Sequence, residues 1–300
     1  MQGKHNFCYG NSSAWGSDEL RDTSTIFNAY GNGFHLNRSL FDETLVKTAE
    51  SHYGRFITII RDSVTKSLLE KNSYGEKYWK ISISSNELPI HGNILIDASS
   101  RRCFIRKCLP DLKCSYFDKL LAFACLFEID TSQPPDSDHN TLVESCAFGW
   151  WYTSLLPNKQ RIVVFYTDDD QCISEHAYPP MGKRIMCMPT NSESLSQFAL
   201  NLHMSVYIQI QSKPASYENR WIAIGESAAS FDPLSSQGML ATLYSAKLGA
   251  EAIFFQYIKA KKTNNKEVTV QPLEIFQQYI ENTFRKYKSE KSFFYNKEQR

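Results

Sequence analysis

No stretch of this 300-residue chain is apolar for long enough to cross a bilayer as a helix. The longest run, Leu120 to Phe127, falls far short of the roughly 20 residues needed. The opening residues, Met1-Gln2-Gly3-Lys4-His5, carry no apolar segment of secretory type. Excess charge is lacking too: a formal net charge of +1 provides no field to hold a polyanion, so no nucleic-acid partner is expected. Eight cysteines are scattered without a Cys-x-x-Cys pair. The closest cluster, Cys103, Cys108 and Cys114, lacks the paired spacing of a zinc site, so reduced thiols of a cytoplasmic protein are expected, with no metal and no membrane partner. There is no internal repeat and no low-complexity tract.

What is present is ordinary for a folded protein: 42% hydrophobic and 22% charged residues, in a length that suits one large or two closely joined domains. Residues Arg38 to Tyr53 read as a helix, with Phe41, Leu45 and Ala49 at every fourth position and Ser39-x-x-Asp42 as a capping box. Strands are expected at Phe56–Ile60, Trp79–Ile83, Ile94–Ile96, Arg161–Tyr166 and Val206–Ile210, with a surface loop at Pro134–Asp138. Toward the end, a short strand Trp221–Ile224 leads to a helix from Gly238. Its expected apolar face is Met239, Leu243, Ala246, Ala250, Ile253 and Tyr257. After a polar, basic break at Lys259–Lys266, a last helix from Pro272 to about Lys288 presents Leu273, Phe276, Ile280 and Phe284.

The segment from Trp221 to Met239 carries the most chemistry. It reads strand, Gly225-Glu226, a loop of small residues, Pro233, then Gln237-Gly238-Met239 at a helix start. A glycine permits a sharp turn against a ligand. An acid at the carboxyl end of a strand accepts hydrogen bonds from sugar-like hydroxyls. A helix start offers unpaired amides and the positive end of a dipole. Two other readings of the same residues stay open. Gly225-Glu226-Ser227 after a strand is also the outline of an esterase nucleophile elbow, although all seven histidines precede Ser227, which removes the usual order of the triad. A plain strand-loop-helix connection with no ligand is the other.

Gly225-Glu226, six residues, then Pro233 resembles the Gly-Asp-x6-Pro motif of FAD-dependent monooxygenases and tryptophan-halogenase-like flavoproteins. Three further segments resemble the same family in the same order. They are Gly33-Phe-His35-Leu-Asn-Arg38 running into its helix, Asp97-Ala98-Ser99-Ser100-Arg101 with Ser100 in place of the family's glycine, and Gly149-Trp150-Trp151-Tyr152 ahead of Pro157 and the strand from Arg161. The tail, Tyr287-x-x-Glu290 with Phe293 to Tyr295, is similar to the end of such chains.

The resemblance implies an α/β, glutathione-reductase-like FAD-binding fold with a β-rich substrate domain: cofactor segments at 1–101 and 220–300, and the substrate domain at 102–219. It implies that Arg38, Asp97, Gly225, Glu226, Pro233, Gln237, Gly238 and Met239 face FAD, and that Trp150, Trp151 and Tyr152 border a substrate pocket. The implied reaction is hydroxylation of an organic substrate with O2, on a small molecule or a protein. Electrons would come from NAD(P)H or from reduced flavin made by a separate flavin reductase. The sequence departs from the family in two places. None of its thirteen glycines forms the Gly-x-Gly-x-x-Gly turn that holds the FAD pyrophosphate, so the first βαβ unit is expected to be missing and FAD to bind weakly or not at all. The halogenases' Trp-x-Trp-x-Ile-Pro signature is also unmatched, because Trp150 and Trp151 are adjacent and Pro157 follows six residues after Trp151. Hydroxylation is therefore favoured over halogenation, and a non-catalytic remnant of such a flavoprotein is the alternative.

Overall fold

The computed structural model describes residues 5–127, 136–168, 201–210, 214–255 and 270–298. In chain order the strands are β1 (Asn6–Cys8), β2 (Gly10–Ala14), β3 (Arg21–Ser24), β4 (Gly33–His35), β5 (Val64–Lys71), β6 (Lys77–Ile83), β7 (Asn86–Gly92) and β8 (Leu95–Asp97). They continue with β9 (Cys114–Phe127), β10 (Thr141–Cys146), β11 (Gly149–Leu155), β12 (Arg161–Asp168), β13 (Asn201–Ile210), β14 (Ala215–Ser216) and β15 (Trp221–Ala223). The helices are α1 (Arg38–Tyr53), α2 (Ile105–Cys108), α3 (Gly238–Ile253) and α4 (Val270–Lys297). The fold is α/β with mixed sheets.

The chain divides into two compact units, one of Met1–Ile59, Lys119–Ser205 and Tyr295–Arg300, the other of Ile60–Asp118 and Val206–Phe294. A seven-stranded sheet runs in the order β13-β9-β12-β11-β10-β2-β3, in which β2 and β10 are parallel and the β9-β12-β11-β10 run is antiparallel. On one of its faces Phe127, Leu142, Trp151, Val163 and Phe165 form the core of the first unit. The second unit holds the antiparallel meander β5-β6-β7 and the small sheet β14-β15-β8, where β15 and β8 are parallel. The parallel pair places the carboxyl ends of β8 and β15 side by side, which puts Asp97 opposite Ala223, two residues before Gly225.

The helices of the second unit show how the core selects a face. On α4, Phe276, Ile280 and Phe284 of the anticipated stripe are buried and Leu273 packs partly buried against the same core; Tyr287 continues the buried face, and the helix extends to Lys297. On α3 the expected apolar face holds only in part, with Ile253 packed against the core. Met239 and Leu243 are exposed, and the buried positions are Ala241, Ser245, Gly249 and Ala252. Small side chains let this helix lie close against β15: a Cβ at Gly249 would stand 2.9 Å from Ile224 Cγ2 and 3.4 Å from Ile222 Cδ1. Close packing and not hydrophobic bulk orients α3. Tyr257 and the Lys259–Lys266 stretch lie outside the described residues, as do Pro134 and Pro135 of the expected loop.

Two further expectations are corrected. Helix α1 spans Arg38–Tyr53 as the pattern predicts, but its cap is Asn37, whose Oδ1 accepts the Leu40 amide at 3.1 Å, and no residue of α1 is buried. Asp42 pairs with Arg38 at 2.9 Å, so it is not the reciprocal arm of a Ser39 capping box. Phe56–Ile60 is not a strand: it follows α1 through a 3-10 turn at Gly54–Phe56 and joins no sheet, leaving its isoleucines exposed. A run of strand-forming residues without a neighbouring ladder cannot satisfy its backbone as a strand.

The tight seat of α3 yields a prediction. Gly249→Val should destabilise the protein by about 1–3 kcal/mol through overpacking against Ile222 and Ile224. Urea unfolding measures it, and an unchanged midpoint would contradict the packing account.

Candidate functional site

The resemblance points to the ends of β8 and β15, and the structure joins them through one carboxylate. Asp97, only 5% exposed, accepts the Ser99 amide at 2.8 Å on Oδ1 and the Ile105 amide at 2.7 Å on Oδ2. The buried Ser227 hydroxyl lies 3.2 Å from Asp97 Oδ1 and 3.1 Å from the Ser100 carbonyl, sharing its proton between them. An ionised carboxylate satisfied by several donors is a stable buried arrangement, whereas an unpaired one is costly. Asp97 thus fixes the turn after β8 to the turn after β15. Ser227 is closed off by these contacts, and the exposed serine of a nucleophile elbow is not what the structure builds.

The turn at Gly225–Ser227 is a short 3-10 segment entered through Gly225 at φ +59°. Its amide donates to Ser245 Oγ of α3 at 2.8 Å, and a Cβ there would meet Thr242 Cγ2 at 3.0 Å. Both the backbone angle and the space require glycine. Glu226 projects from this turn. Its carboxylate accepts the Ser100 hydroxyl and pairs with Arg101 at 3.5 Å, and both partners of that ion pair are about a third exposed or less. Ser100 itself has φ +59°. The left-handed angle explains why the family places glycine there; here a serine accepts that conformation and its hydroxyl reaches Glu226.

Downstream, Asp232 is buried and caps a second 3-10 turn, Pro233–Ser235, by accepting the Leu234 amide at 2.8 Å. Its Oδ2 pairs with Lys291 at 3.6 Å, and the Tyr287 hydroxyl accepts its amide at 3.1 Å. Pro233 is the first residue of the turn, where a missing N–H costs nothing. Gln237 precedes α3 without capping it, and its Nε2 is 3.5 Å from Glu290 Oε2. Gly238 has open space where a Cβ would be, and Met239 and Leu240 are exposed. The first amides of this 16-residue helix have no intrahelical acceptor, so its start offers donors and a positive dipole end to an anionic group.

Of the residues singled out in the sequence, Asp97, Gly225 and Glu226 are thus brought together, and Pro233, Gln237, Gly238 and Met239 follow in the same unit. Arg38 opens α1 in the other unit, where it is exposed and bound to Asp42. Trp150 and Trp151 are each 2% exposed and Tyr152 is half-buried. Trp150 stacks on Tyr166 with ring centroids 4.0 Å apart and donates to the Tyr295 hydroxyl at 3.1 Å, while Trp151 packs on Phe165. Sequence reading missed Ser100, Arg101, Ser227 and Ser245 as partners. Only Ser100, a serine at a glycine position, carried a signal.

No protein-family model matches the chain. Solved structures share its fold. The myxobacterial chondrochloren halogenase CndH superposes with a TM-score of 0.68 at 15% identity, over 99% of this chain and 69% of its own. The flavin-dependent halogenase CmlS gives 0.67 at 17%, over 95% of this chain and 51% of its own. The peptidyl tryptophan dihydroxylase QhpG gives 0.64 at 16%, over 100% of this chain and 62% of its own. The chain therefore has the fold of flavin-dependent halogenases and hydroxylases and spans about half to two thirds of their length. In sequence it is similar to LodB of Marinomonas mediterranea, described as an FAD-dependent oxidoreductase, with 24% identity over 97% of this chain and 75% of that protein. The flavoprotein resemblance read from four motifs agrees with these relatives.

Replacing the central carboxylate tests the architecture. Asp97→Ala leaves the amides of Ser99 and Ile105 without their acceptor and Ser227 with the Ser100 carbonyl alone, and should cost about 2–4 kcal/mol. Chemical denaturation reads the loss, and a cost below about 1 kcal/mol would remove Asp97 from its joining role.

Proposed function

We propose that this chain is an FAD-dependent oxidoreductase that hydroxylates an organic substrate with O2. The observation that carries the reading is Glu226, presented at the carboxyl end of β15 in the same unit as the open start of α3. Flavin, when bound, supplies the redox chemistry. The chain's own residues fit its ring side: Glu226 has acceptor capacity for sugar-like hydroxyls, and the amides at Gly238 and Met239 suit the electron-rich edge of a planar ring. A glycine-rich pyrophosphate turn is not in the sequence, which supports weak binding. Pro233 and Gln237 would set the path into α3. Arg38 is assigned to the cofactor by resemblance, and Trp150, Trp151 and Tyr152 to the substrate side on the same basis.

The finer assignment belongs to the same proposal: a glutathione-reductase-like cofactor fold lacking its first βαβ unit, split between 1–101 and 220–300, with 102–219 as the substrate domain. The protein's role there is to orient substrate and exclude water. NAD(P)H or a flavin reductase is the proposed electron source, and the absence of the Trp-x-Trp-x-Ile-Pro signature favours hydroxylation over halogenation. A protein-borne substrate is the second reading, supported by the full-length match of this chain to a peptidyl tryptophan dihydroxylase.

A titration of the purified chain with FAD, followed by flavin fluorescence, tests the assignment. Saturable binding is expected. Glu226→Ala should weaken it by about 1–3 kcal/mol, roughly 5- to 150-fold, and Glu226→Asp, the acid usual in the family, should retain it. Unchanged affinity in Glu226→Ala would overturn the role of Glu226, and absence of binding would favour the non-catalytic alternative.

A further inference from the structure

A second constellation lies in the first unit, where Arg38, three residues after His35, is the one residue assigned to flavin. Strands β1 and β4 pair antiparallel, with Cys8 opposite Gly33 and Asn6 opposite His35, and β10 begins at Thr141. His35 is buried. Its Nδ1 faces the Leu155 carbonyl at 3.0 Å, and because a carbonyl can only accept, this nitrogen carries a proton. Nε2 of the neutral ring is then an acceptor, and the Thr141 hydroxyl lies 3.0 Å from it. The same hydroxyl oxygen is 3.9 Å from the sulfur of half-buried Cys8. With the hydroxyl proton directed at Nε2, a lone pair of Thr141 faces the thiol. Nucleophile, relay, base and a group orienting the base are all present.

We propose that Cys8, Thr141 and His35 form a thiol-activating relay, and that Cys8 is a site of covalent modification by low-molecular-weight disulfides. The thiol proton passes to Thr141 as the hydroxyl proton passes to His35 Nε2, leaving a thiolate beside an imidazolium. The thiolate attacks one sulfur of the disulfide. A bond forms between Cys8 Sγ and that sulfur, the reagent's S–S bond breaks, and the second sulfur departs with the electron pair. Cys8 is oxidised, the departing thiolate is reduced, and it takes up the proton held by His35.

The surrounding groups support this. Burial pushes the Cys8 thiol up, but hydrogen bonds from His35, the Gly10 backbone and Thr141, together with the charge of His35, bring it down to about 7. The Gly10 carbonyl, 3.3 Å from the sulfur, is a competing acceptor for the thiol proton. Among the described residues, other titratable side chains on or against these strands are Tyr9, whose ring meets that of His139 at 5.1 Å, His139 itself, whose Nδ1 is 3.2 Å from the Phe7 carbonyl, and His5, which accepts the Asn37 amide at 3.1 Å. None of these three is a carboxylate. Burial instead raises Cys108, Cys125 and Cys146. Cys114 is brought down to about 7 by the thiol of Cys103 beside it, with no part played by His35, and so serves as an internal control.

The experiment treats the full chain with dithiobis-nitrobenzoate, an aromatic disulfide, at limiting concentration and maps each labelled cysteine by mass spectrometry across pH. At pH 7 a thiol titrating two units low has roughly 50 times more thiolate, and loses about 8-fold in intrinsic nucleophilicity, leaving about a 6-fold advantage over an ordinary thiol. Cys8 should therefore lead Cys108, Cys125 and Cys146, whose thiols are raised further, by at least that factor, with an inflection near 7 in its pH profile. His35→Gln and, separately, Thr141→Val should remove the advantage and move the inflection into the ordinary thiol range, while Cys114 keeps its rate. Equal labelling of Cys8 and the buried thiols, or a Cys8 profile that both substitutions leave unmoved, would overturn the proposal. Because Cys125, buried in the same unit as Cys8, reports whether that unit stays folded in each variant, and the native protein is itself informative, an unstable variant does not shelter it.

Discussion

A single buried carboxylate organises the end of the second unit where β8 and β15 finish. Asp97 terminates β8, and its two oxygens accept from the turn that follows, from the first amide of α2 and from Ser227 after β15. Two strand ends that are distant in sequence but parallel neighbours in the sheet are thereby held at one level. The arrangement costs the desolvation of a charge and offsets it with several charge-assisted hydrogen bonds, so each partner depends on the others.

From that anchor the rest of the site follows by packing. Gly225, in a left-handed conformation against Thr242, lets the chain turn beside α3, and its amide is tied to Ser245 of the same helix. Ala241, Gly249 and Ala252 bring α3 close enough for that contact. The acid of the motif, Glu226, sits between Ser100 and Arg101. A glutamate in place of aspartate is one methylene longer, and the serine at the glycine position supplies a hydroxyl that the family's residue lacks. These two substitutions within the matched motifs, glutamate for aspartate and serine for glycine, meet in one contact.

Much of this was legible in the sequence, for physical reasons that differ by element. The α4 stripe of Phe276, Ile280 and Phe284 was readable because large side chains at helical spacing have one place to go. Strands β6, β8, β12 and β15 were readable within a few residues from apolar runs bounded by turn formers. The face of α3 was legible only in part, because its fully buried positions are small and Met239 and Leu243 are exposed; hydrophobicity ranks Met239 and Leu243 above Gly249, whereas close approach to β15 selects the reverse. Phe56–Ile60 was misread because strand formation requires a partner that no local pattern reveals. At the site, the motif residues themselves were readable, but the Ser245 contact depends on how closely α3 packs on the Gly225 turn, and the Arg101–Glu226 pairing on the parallel alignment of β8 and β15, neither of which spacing alone contains.

The central claim is that the turn at Gly225–Glu226 and the start of α3 form the wall on which a flavin ring rests. A crystal structure of the chain grown with saturating FAD tests it most directly. The account predicts the ring edge against the amides of Gly238 and Met239, with a sugar-like hydroxyl on the Glu226 carboxylate. Flavin bound at any other surface, with those amides left to solvent, would contradict it.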